Sequence, residues 1–295
     1  MSEIGLKVTT GEASEIVHVH ESTIKRWCDA GRIDHVRTPG GHRRVVLSSL
    51  LDYARTEDLE CDFLQFGERA EIVYQTLERA RDERFSASVA FLFGGLRDRG
   101  DETIGAFLKL LLTQGLRLEQ LFDKVVGPVL HRVGNGWSSG AMGVGDEHLM
   151  TGLLTDALYD LRSAASRDPS CGHSAVVGCM EGNRHDLGVN MARMVLESRG
   201  WRVVYLGADV PVHEFAIQQQ KTASNLVGMG LAPPQVASDA KNALRVLGGL
   251  YRADSPYRIA LGGEPARQLD ATDLEGHPFE DCRAFDSLTA FSQWL

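Results

Sequence analysis

The sequence predicts a multidomain α plus α/β chain: a winged helix first, a helical bundle next, and a doubly wound, Rossmann-like domain last. Three observations predict it. Two short amphipathic segments and a basic hairpin fill the first 60 residues. Residues 69–166 read as helices with few breakers. Residues 172–295 alternate short apolar runs with segments of helical spacing. The expected domain limits are 1–60, 67–168 and 172–295.

The 295 residues are ordinary in composition, 43% hydrophobic and 24% charged. No apolar run approaches the ~20 residues that span a bilayer. Five scattered cysteines, none in a Cys-x-x-Cys pair, argue for a reducing cytoplasm and against a disulfide framework or structural zinc. The net charge is −9, so any contact with nucleic acid must come from a local basic patch.

Thr10 is the expected N-cap of a helix over 11–17 that turns Ala13, Ile16 and Val17 inward. His18-Val19-His20-Glu21 reads as the turn and Ser22 as a second N-cap. Ile24, Trp27 and Cys28 form the apolar face of the next helix, Lys25 and Arg26 its exposed face, and Gly31 its stop. Two short helices joined by a tight turn are a helix-turn-helix, whose second helix enters the major groove. Pro39-Gly40-Gly41 then reverses the chain between strands expected at 33–37 and 43–47, with Arg37, His42, Arg43 and Arg44 around the reversal. Alone, such a hairpin is a solvated surface feature. Directly after a helix-turn-helix it reads as a wing for phosphate or minor-groove contact.

A polar linker is expected over 56–66. Helices follow at 69–82, 86–98, 101–113, 115–134 and 144–166, with Leu108, Leu111, Leu112, Leu116, Leu118, Leu121, Phe122, Val125 and Val126 sustaining the apolar pattern of a bundle. The glycines around Gly136-Trp137-Ser138-Ser139-Gly140 place Trp137 on a loop and open a helix near Asp146. Trp137, Glu147 and His148 are then either a core tryptophan beside an ordinary helix start or part of a site.

Strands are expected at 174–180, 202–206, 225–231, 257–262 and 282–285. Helices are expected at 186–199, 212–222, 236–252, 267–273 and 287–295, giving a five-stranded doubly wound sheet. His185, within Glu181-Gly182-Asn183-Arg184-His185-Asp186-Leu187-Gly188, lies on the loop at the carboxyl end of the first strand, where open α/β sheets bind ligands. An imidazole there is either a solvated loop residue or a donor to a transition metal. Gly188 removes a side chain where something bulky would approach, and loops at 228–234 and 262–265 join the same end. A dinucleotide reading of Gly228-x-Gly230 fails, because the third glycine is missing and Pro233 follows.

The Thr10–Arg44 stretch, with Ser-Thr-Ile-Lys-Arg-Trp at 22–27 and Thr-Pro-Gly-Gly-His-Arg-Arg at 38–44, resembles the winged-helix DNA-binding domain of MerR-family regulators. A bundle before a small α/β domain with His-x-x-Gly and then Gly-Gly resembles the cobalamin-binding module of methyltransferases and mutases. That resemblance makes His185 the lower axial ligand of cobalt, with Gly188, Gly262 and Gly263 matching. Gly230 stands where the family usually has Ser, and Asn183 where it has Asp or Glu, whose carboxylate would raise imidazole basicity. The combination is similar to the CarH/LitR-like photoreceptor group. In that group Trp137, Glu147 and His148 would pack over the adenosyl side of the cofactor, and Ser138 stands where type members carry His.

The resemblance implies a cytoplasmic DNA-binding transcriptional regulator, a repressor and not an enzyme. Cobalamin would control its oligomeric state and DNA affinity as a light sensor. Adenosylcobalamin is the expected form, with methylcobalamin and hydroxocobalamin as alternatives. The expected partners are a double-stranded DNA operator and further copies of the chain, as dimer or tetramer, with no membrane. Two other readings stay open: a corrinoid methyl-carrier protein, which has no use for residues 1–55, and a regulator whose sensor is cobalamin-independent, favoured by Asn183, Ser138 and Gly230.

Overall fold

The computed structural model describes residues 5–98, 103–165 and 167–295. The chain divides into two compact units, Met1–Gly115 with Val133–Leu154, and Leu116–Arg132 with Thr155–Leu295.

The first unit opens with β1 (Lys7–Thr9), α1 (Thr10–Ile16) and α2 (Glu21–Asp29), then β2 (His35–Arg37), β3 (Arg43–Val46) and α3 (Leu47–Thr56). Both expected caps move. Thr9, not Thr10, caps α1 through a reciprocal pair with Glu12: Thr9 Oγ1 accepts from Glu12 N–H and Glu12 Oε2 from Thr9 N–H. His20, not Ser22, caps α2, its Nδ1 accepting from Ser22 N–H at 3.2 Å. Ala13, Ile16, Val17, Ile24, Trp27 and Cys28 are buried as the helical spacing requires. Gly31 ends α2 at φ 67°, a conformation free of strain only for glycine. The sheet has three strands rather than the expected two, in the order β1-β3-β2, because the short Lys7–Thr9 run pairs with β3. Such a run is too short to show a period of two.

Residues 56–66 are not a purely polar linker. Phe63 and Phe66 are buried, and a 3₁₀ turn over Leu64–Arg69 leads into α4 (Ala70–Arg81), followed by α5 (Ser86–Arg97) and α6 (Thr103–Thr113). Residues 101 and 102, the expected start of α6, lie outside the described residues, as does residue 166, the expected end of the last bundle helix. The single helix expected over 115–134 is a composite: α7 (Leu118–Leu121), a π-helical turn at Phe122–Val126 and α8 (Gly127–Ser138). Pro128 explains the wide turn, since it lacks the N–H an α-helix would donate to residue 124. Helix α8 therefore contains Trp137, which the glycine count had placed on a loop. Gly134 and Gly136 are carried because Val129 and Val133 stay buried on its inner face, and the chain leaves the helix at Gly140, φ 74°. The bundle closes with α9 (Val144–Ala164).

The second unit is organised on a parallel sheet. Besides Leu116–Arg132 and the end of α9 from Thr155, its elements are β4 (Ser174–Met180), α10 (Leu187–Ser198), β5 (Arg202–Val210), α11 (Val212–Thr222), β6 (Leu226–Gly230), α12 (Ala237–Leu250), β7 (Arg258–Gly262), a 3₁₀ turn (Pro265–Gln268), α13 (Ala271–Leu274), β8 (Cys282–Phe285) and α14 (Leu288–Trp294), so the one helix expected over 267–273 is two short pieces parted at Leu269 and Asp270. The strand order is β5-β4-β6-β7-β8, so the chain reverses direction across the sheet beside β4. Every residue of β4 is buried, as a strand covered on both faces must be. Val176, Met180, Val227, Met229, Ile259 and Leu261 face α11 and α12 in one core cluster. The alternate residues include Gly228, Gly230 and Ala260, and α10 contacts β4, β5 and β6.

Helix α14 is held at its first turn. Asp123, in the π-helical turn, accepts from the Leu288 and Thr289 backbone N–H groups at 2.9 and 2.8 Å, and Ser287 Oγ accepts from Ala290 N–H at 3.1 Å. All three leading amides of a short helix are thereby satisfied. At the other end of α10, Glu197 is buried and accepts from Arg162 Nε and Nη2, both at 2.7 Å, and from Arg193 Nε at 2.8 Å. Burial alone would raise its pKa, but the two guanidinium groups outweigh that and hold it below the usual carboxylate range.

Candidate functional site

The loop after β4 turns at Gly182, φ 86°, and presents His185 just before α10. The imidazole is exposed, and neither ring nitrogen has a partner among the described residues. Its backbone, by contrast, is fixed. His185 N–H donates to Asn183 Oδ1 at 2.9 Å, and the Cys179 thiol donates to the His185 carbonyl at 3.5 Å. Burial, reinforced by the nearby Asp186 carboxylate, pushes Cys179 up to about 12, so it stays a thiol and a donor. Asp186 in turn accepts from the Tyr205 hydroxyl at 2.8 Å.

Asn183 is buried, and both ends of its amide are committed to backbone: Oδ1 to His185 N–H, and Nδ2 as a donor to the Gly230 carbonyl at 3.2 Å. It shapes the loop instead of touching the imidazole. An aspartate here would set a buried carboxylate oxygen against a carbonyl oxygen, so the gain expected from Asn183→Asp in imidazole basicity is opposed by a lost donor.

The glycines differ in kind. A Cβ at Gly188 or Gly262 would meet nothing within 4 Å, so both border open space. Gly263 has φ 103°, and a Cβ there would fall 1.8 Å from the Leu231 carbonyl oxygen, so two loops cross with room only for glycine. A Cβ at Gly230 would lie 2.2 Å from Val189 Cγ2, so a side chain of α10 fills the space a serine would use.

Trp137, Glu147 and His148 lie in the first unit. Trp137 is 53% exposed, which removes the core-tryptophan alternative, and Val144 and Leu149 nearby in sequence are also exposed. Glu147 stands in the first turn of α9, where the helix dipole favours an acid. It accepts from Thr151 Oγ1 at 2.9 Å, and its other oxygen is 3.3 Å from His148 Nε2. Ser138 ends α8 with its hydroxyl donating to the Asn135 carbonyl.

In the head, Arg37 and Arg43 face each other in the wing register, and both approach Asp29 Oδ1 at the end of α2, at 3.7 and 2.5 Å. Lys25 pairs with Glu21 at 3.0 Å. Arg44 donates to the Arg43 carbonyl, while Arg26 and His42 are exposed. The turn between the strands is closed by Thr38 N–H to the His42 carbonyl at 2.9 Å, with Gly41 at φ 81°.

Two polar residues that bond the His185 loop from other elements were not singled out by the sequence. Asp209 bonds Gly182 N–H and Gln235 bonds the Glu181 carbonyl. Strand β5 runs to Val210 rather than stopping at 206, because register shifts against β4 and Gly207, φ 82°, carry it past a residue that reads as a breaker. Its signal was the acid between Gly207 and Pro211.

No helix among the described residues is long and apolar enough to cross a membrane. No three His, Cys, Asp or Glu residues among them cluster to hold a metal, so the loop offers one imidazole rather than a cage. A helix-turn-helix domain family matches residues 8–58, and two B12-binding domain families match residues 96–161 and 173–284. The chain is 25% identical over 300 residues to the HTH-type transcriptional repressor CarH of Myxococcus xanthus, covering 94% of this chain and 96% of that one. It is 29% identical over 195 residues to the repressor CarA of the same organism, covering 65% and 60%. A corrinoid protein of Desulfitobacterium hafniense is 26% identical over 180 residues, covering 59% and 83%. The solved monomethylamine corrinoid protein of Methanosarcina barkeri shares the fold, with a TM-score of 0.55 at 16% identity over 69% of this chain and 94% of that one. Matches to a helix-turn-helix domain and to two B12-binding domains thus lie along one chain, which over nearly its whole length is similar to a transcriptional repressor.

Proposed function

We propose that this chain is a DNA-binding transcriptional repressor of the cytoplasm. In this reading its assembly into dimers or tetramers, and through that its hold on operator DNA, is set by a bound cobalamin, adenosylcobalamin in the dark. Residues 1–60 bind DNA through Lys25, Arg26, Arg37, His42, Arg43 and Arg44. Residues 67–168 cap the cofactor with Trp137, Glu147 and His148. Residues 172–295 hold it with Asn183, His185, Gly188, Gly230, Gly262 and Gly263.

The observation that carries this reading is the exposed imidazole of His185, without a partner among the described residues, on a loop with a fixed backbone, in a chain that also matches a helix-turn-helix domain. The donor set fits a corrinoid: one imidazole nitrogen, with open space at Gly188 and Gly262 on the same domain. Bound adenosylcobalamin would supply a light-labile cobalt–carbon bond. His185 would hold the metal, Asn183 would keep the loop backbone in place, and Trp137 is the cap residue proposed to meet the cofactor. Linkage requires the cofactor to bind one arrangement of the chain better than the other.

The test is to incubate the full chain with adenosylcobalamin in the dark and follow absorbance, size and retardation of operator DNA before and after illumination. A histidine-ligated spectrum with a light-dependent change in size and DNA affinity is expected. His185→Ala should lose the corrinoid on gel filtration. The packing of Val189 against Gly230 favours the second reading, a cobalamin-independent sensor. DNA binding with no uptake of any cobalamin would establish it.

A further inference from the structure

The loop bearing His185 is tied from two neighbouring strand ends. Asp209 Oδ1 accepts from Gly182 N–H at 2.7 Å, and Asp209 N–H donates to the Asn183 carbonyl at 2.9 Å. Glu181 N–H donates to the Val210 carbonyl at 2.8 Å. From the loop after β6, Gln235 Nε2 donates to the Glu181 carbonyl at 2.9 Å while its Oε1 accepts from Ala232 N–H at 3.1 Å. With Asn183 bonded to His185 N–H and to Gly230, the peptide groups from Glu181 to His185 are largely satisfied within the protein. Asp209 itself has φ 57°, a left-handed conformation that aspartate and asparagine adopt more readily than other non-glycine residues. From that conformation Asp209 places two hydrogen bonds on the loop that carries His185.

We infer that Asp209 is a positioning residue: it holds the His185 loop in its ligating arrangement before any corrinoid arrives, with Gln235 as the second tie. The inference rests on the reading of His185 as the lower ligand. A loop already ordered loses little entropy when its imidazole is engaged, and a fixed backbone keeps His185 at the position from which it ligates. Asp209 acts through the loop backbone.

The experiment compares the full-length parent with Asp209→Gly and Asp209→Asn. Glycine relieves the backbone strain and deletes the carboxylate, while asparagine keeps an oxygen that accepts from Gly182 N–H. Amide hydrogen exchange is read over 181–185 without cofactor. Hydroxocobalamin is then added to protein carrying nitrogen-15 histidine, and affinity and, after dithionite reduction, the nitrogen-15 hyperfine splitting of the cobalt centre are measured. In the parent the loop amides should be protected. Asp209→Gly should speed their exchange at least tenfold, weaken hydroxocobalamin binding about tenfold and reduce the nitrogen-ligated fraction, and Asp209→Asn should stay within about twofold of the parent. Unchanged exchange and an unchanged nitrogen signal in Asp209→Gly would overturn the inference. If the parent takes up no hydroxocobalamin, the ligand reading fails, and the exchange measurement still decides whether Asp209 holds the loop.

Discussion

Gly230→Ser restores the residue that the cobalamin-binding module usually carries, and here it should destabilise the protein. Gly230 ends β6 on the face covered by α10. Its Cβ would fall 2.2 Å from Val189 Cγ2 and 3.4 Å from Cys179 Sγ. Apolar carbons rest about 3.5–4.0 Å apart, so the methyl must retreat by more than an ångström. It cannot do so freely, because a valine inside a helix is confined to one rotamer and Val189 is buried. Overpacking of this kind costs about 1–3 kcal/mol. Val189→Ala removes two buried carbons, a loss of about 2 kcal/mol at roughly 0.8 per carbon, plus a cavity term. The serine Cβ refills part of that cavity, so the double variant should lose about 1–2 kcal/mol less than the sum of the singles. Urea denaturation of all four proteins at constant slope measures the coupling. Costs additive within about 0.5 kcal/mol would mean that Val189 does not occupy the serine position.

Glu197→Gln should cost about 2 kcal/mol, below the range for a fully buried pair because Arg162 and Arg193 keep 26% and 18% of their side-chain surface exposed. Since the folded pKa of Glu197 lies below its unfolded value of about 4.3, its contribution is present above that pH and fades as pH falls through the folded value. The parent should therefore lose its advantage over Glu197→Gln under acid, and a gap unchanged down to pH 3 would refute the pairing. Asp123→Ala should cost about 1.5–3 kcal/mol by uncapping α14, read as protease sensitivity of the carboxyl end and a lower melting temperature. Cys179, held as a thiol, should resist iodoacetamide at pH 8 under conditions that alkylate the exposed Cys171; equal rates in the folded protein would contradict its burial. Arg44→Ala should flatten the salt dependence of DNA binding by about one unit, and Arg43→Ala by less, because Asp29 already neutralises Arg43.

What was legible in the sequence followed from periodicity. The apolar faces of α1, α2 and α10, the five parallel strands and the placing of His185 after β4 all come from repeats that the buried surface imposes. What was not legible depended on partners distant in sequence. β1 exists because β3 pairs with it. Trp137 is helical because Val129 and Val133 are buried, although the local glycines read as a loop. Asn183 carried the expectation of a missing carboxylate at the imidazole; its actual bonds, to His185 N–H and to the Gly230 carbonyl, depend on a strand that arrives 47 residues later. Asp209 lies beyond a glycine that stops the strand on paper and not in the sheet.

The electrostatics of the head bear on how a cofactor site elsewhere in the chain would govern DNA. Of the six side chains proposed to meet DNA, Lys25, Arg37 and Arg43 have acidic partners, Glu21 and Asp29, within 4.0 Å. Arg26, His42 and Arg44 have none among the described residues. With about 0.9 counterions released per phosphate contact, a head with two such cations, Arg26 and Arg44, has a salt slope near −2, on a chain whose net charge of −9 opposes approach. One head is then a weak binder at physiological salt. Two heads tethered on adjacent half-sites double the slope and turn the second contact into an intramolecular step at an effective concentration near millimolar. Under the proposed function, weak single heads would make assembly the efficient point of control, because a change in oligomeric state would then move DNA occupancy by orders of magnitude without altering any residue of the wing.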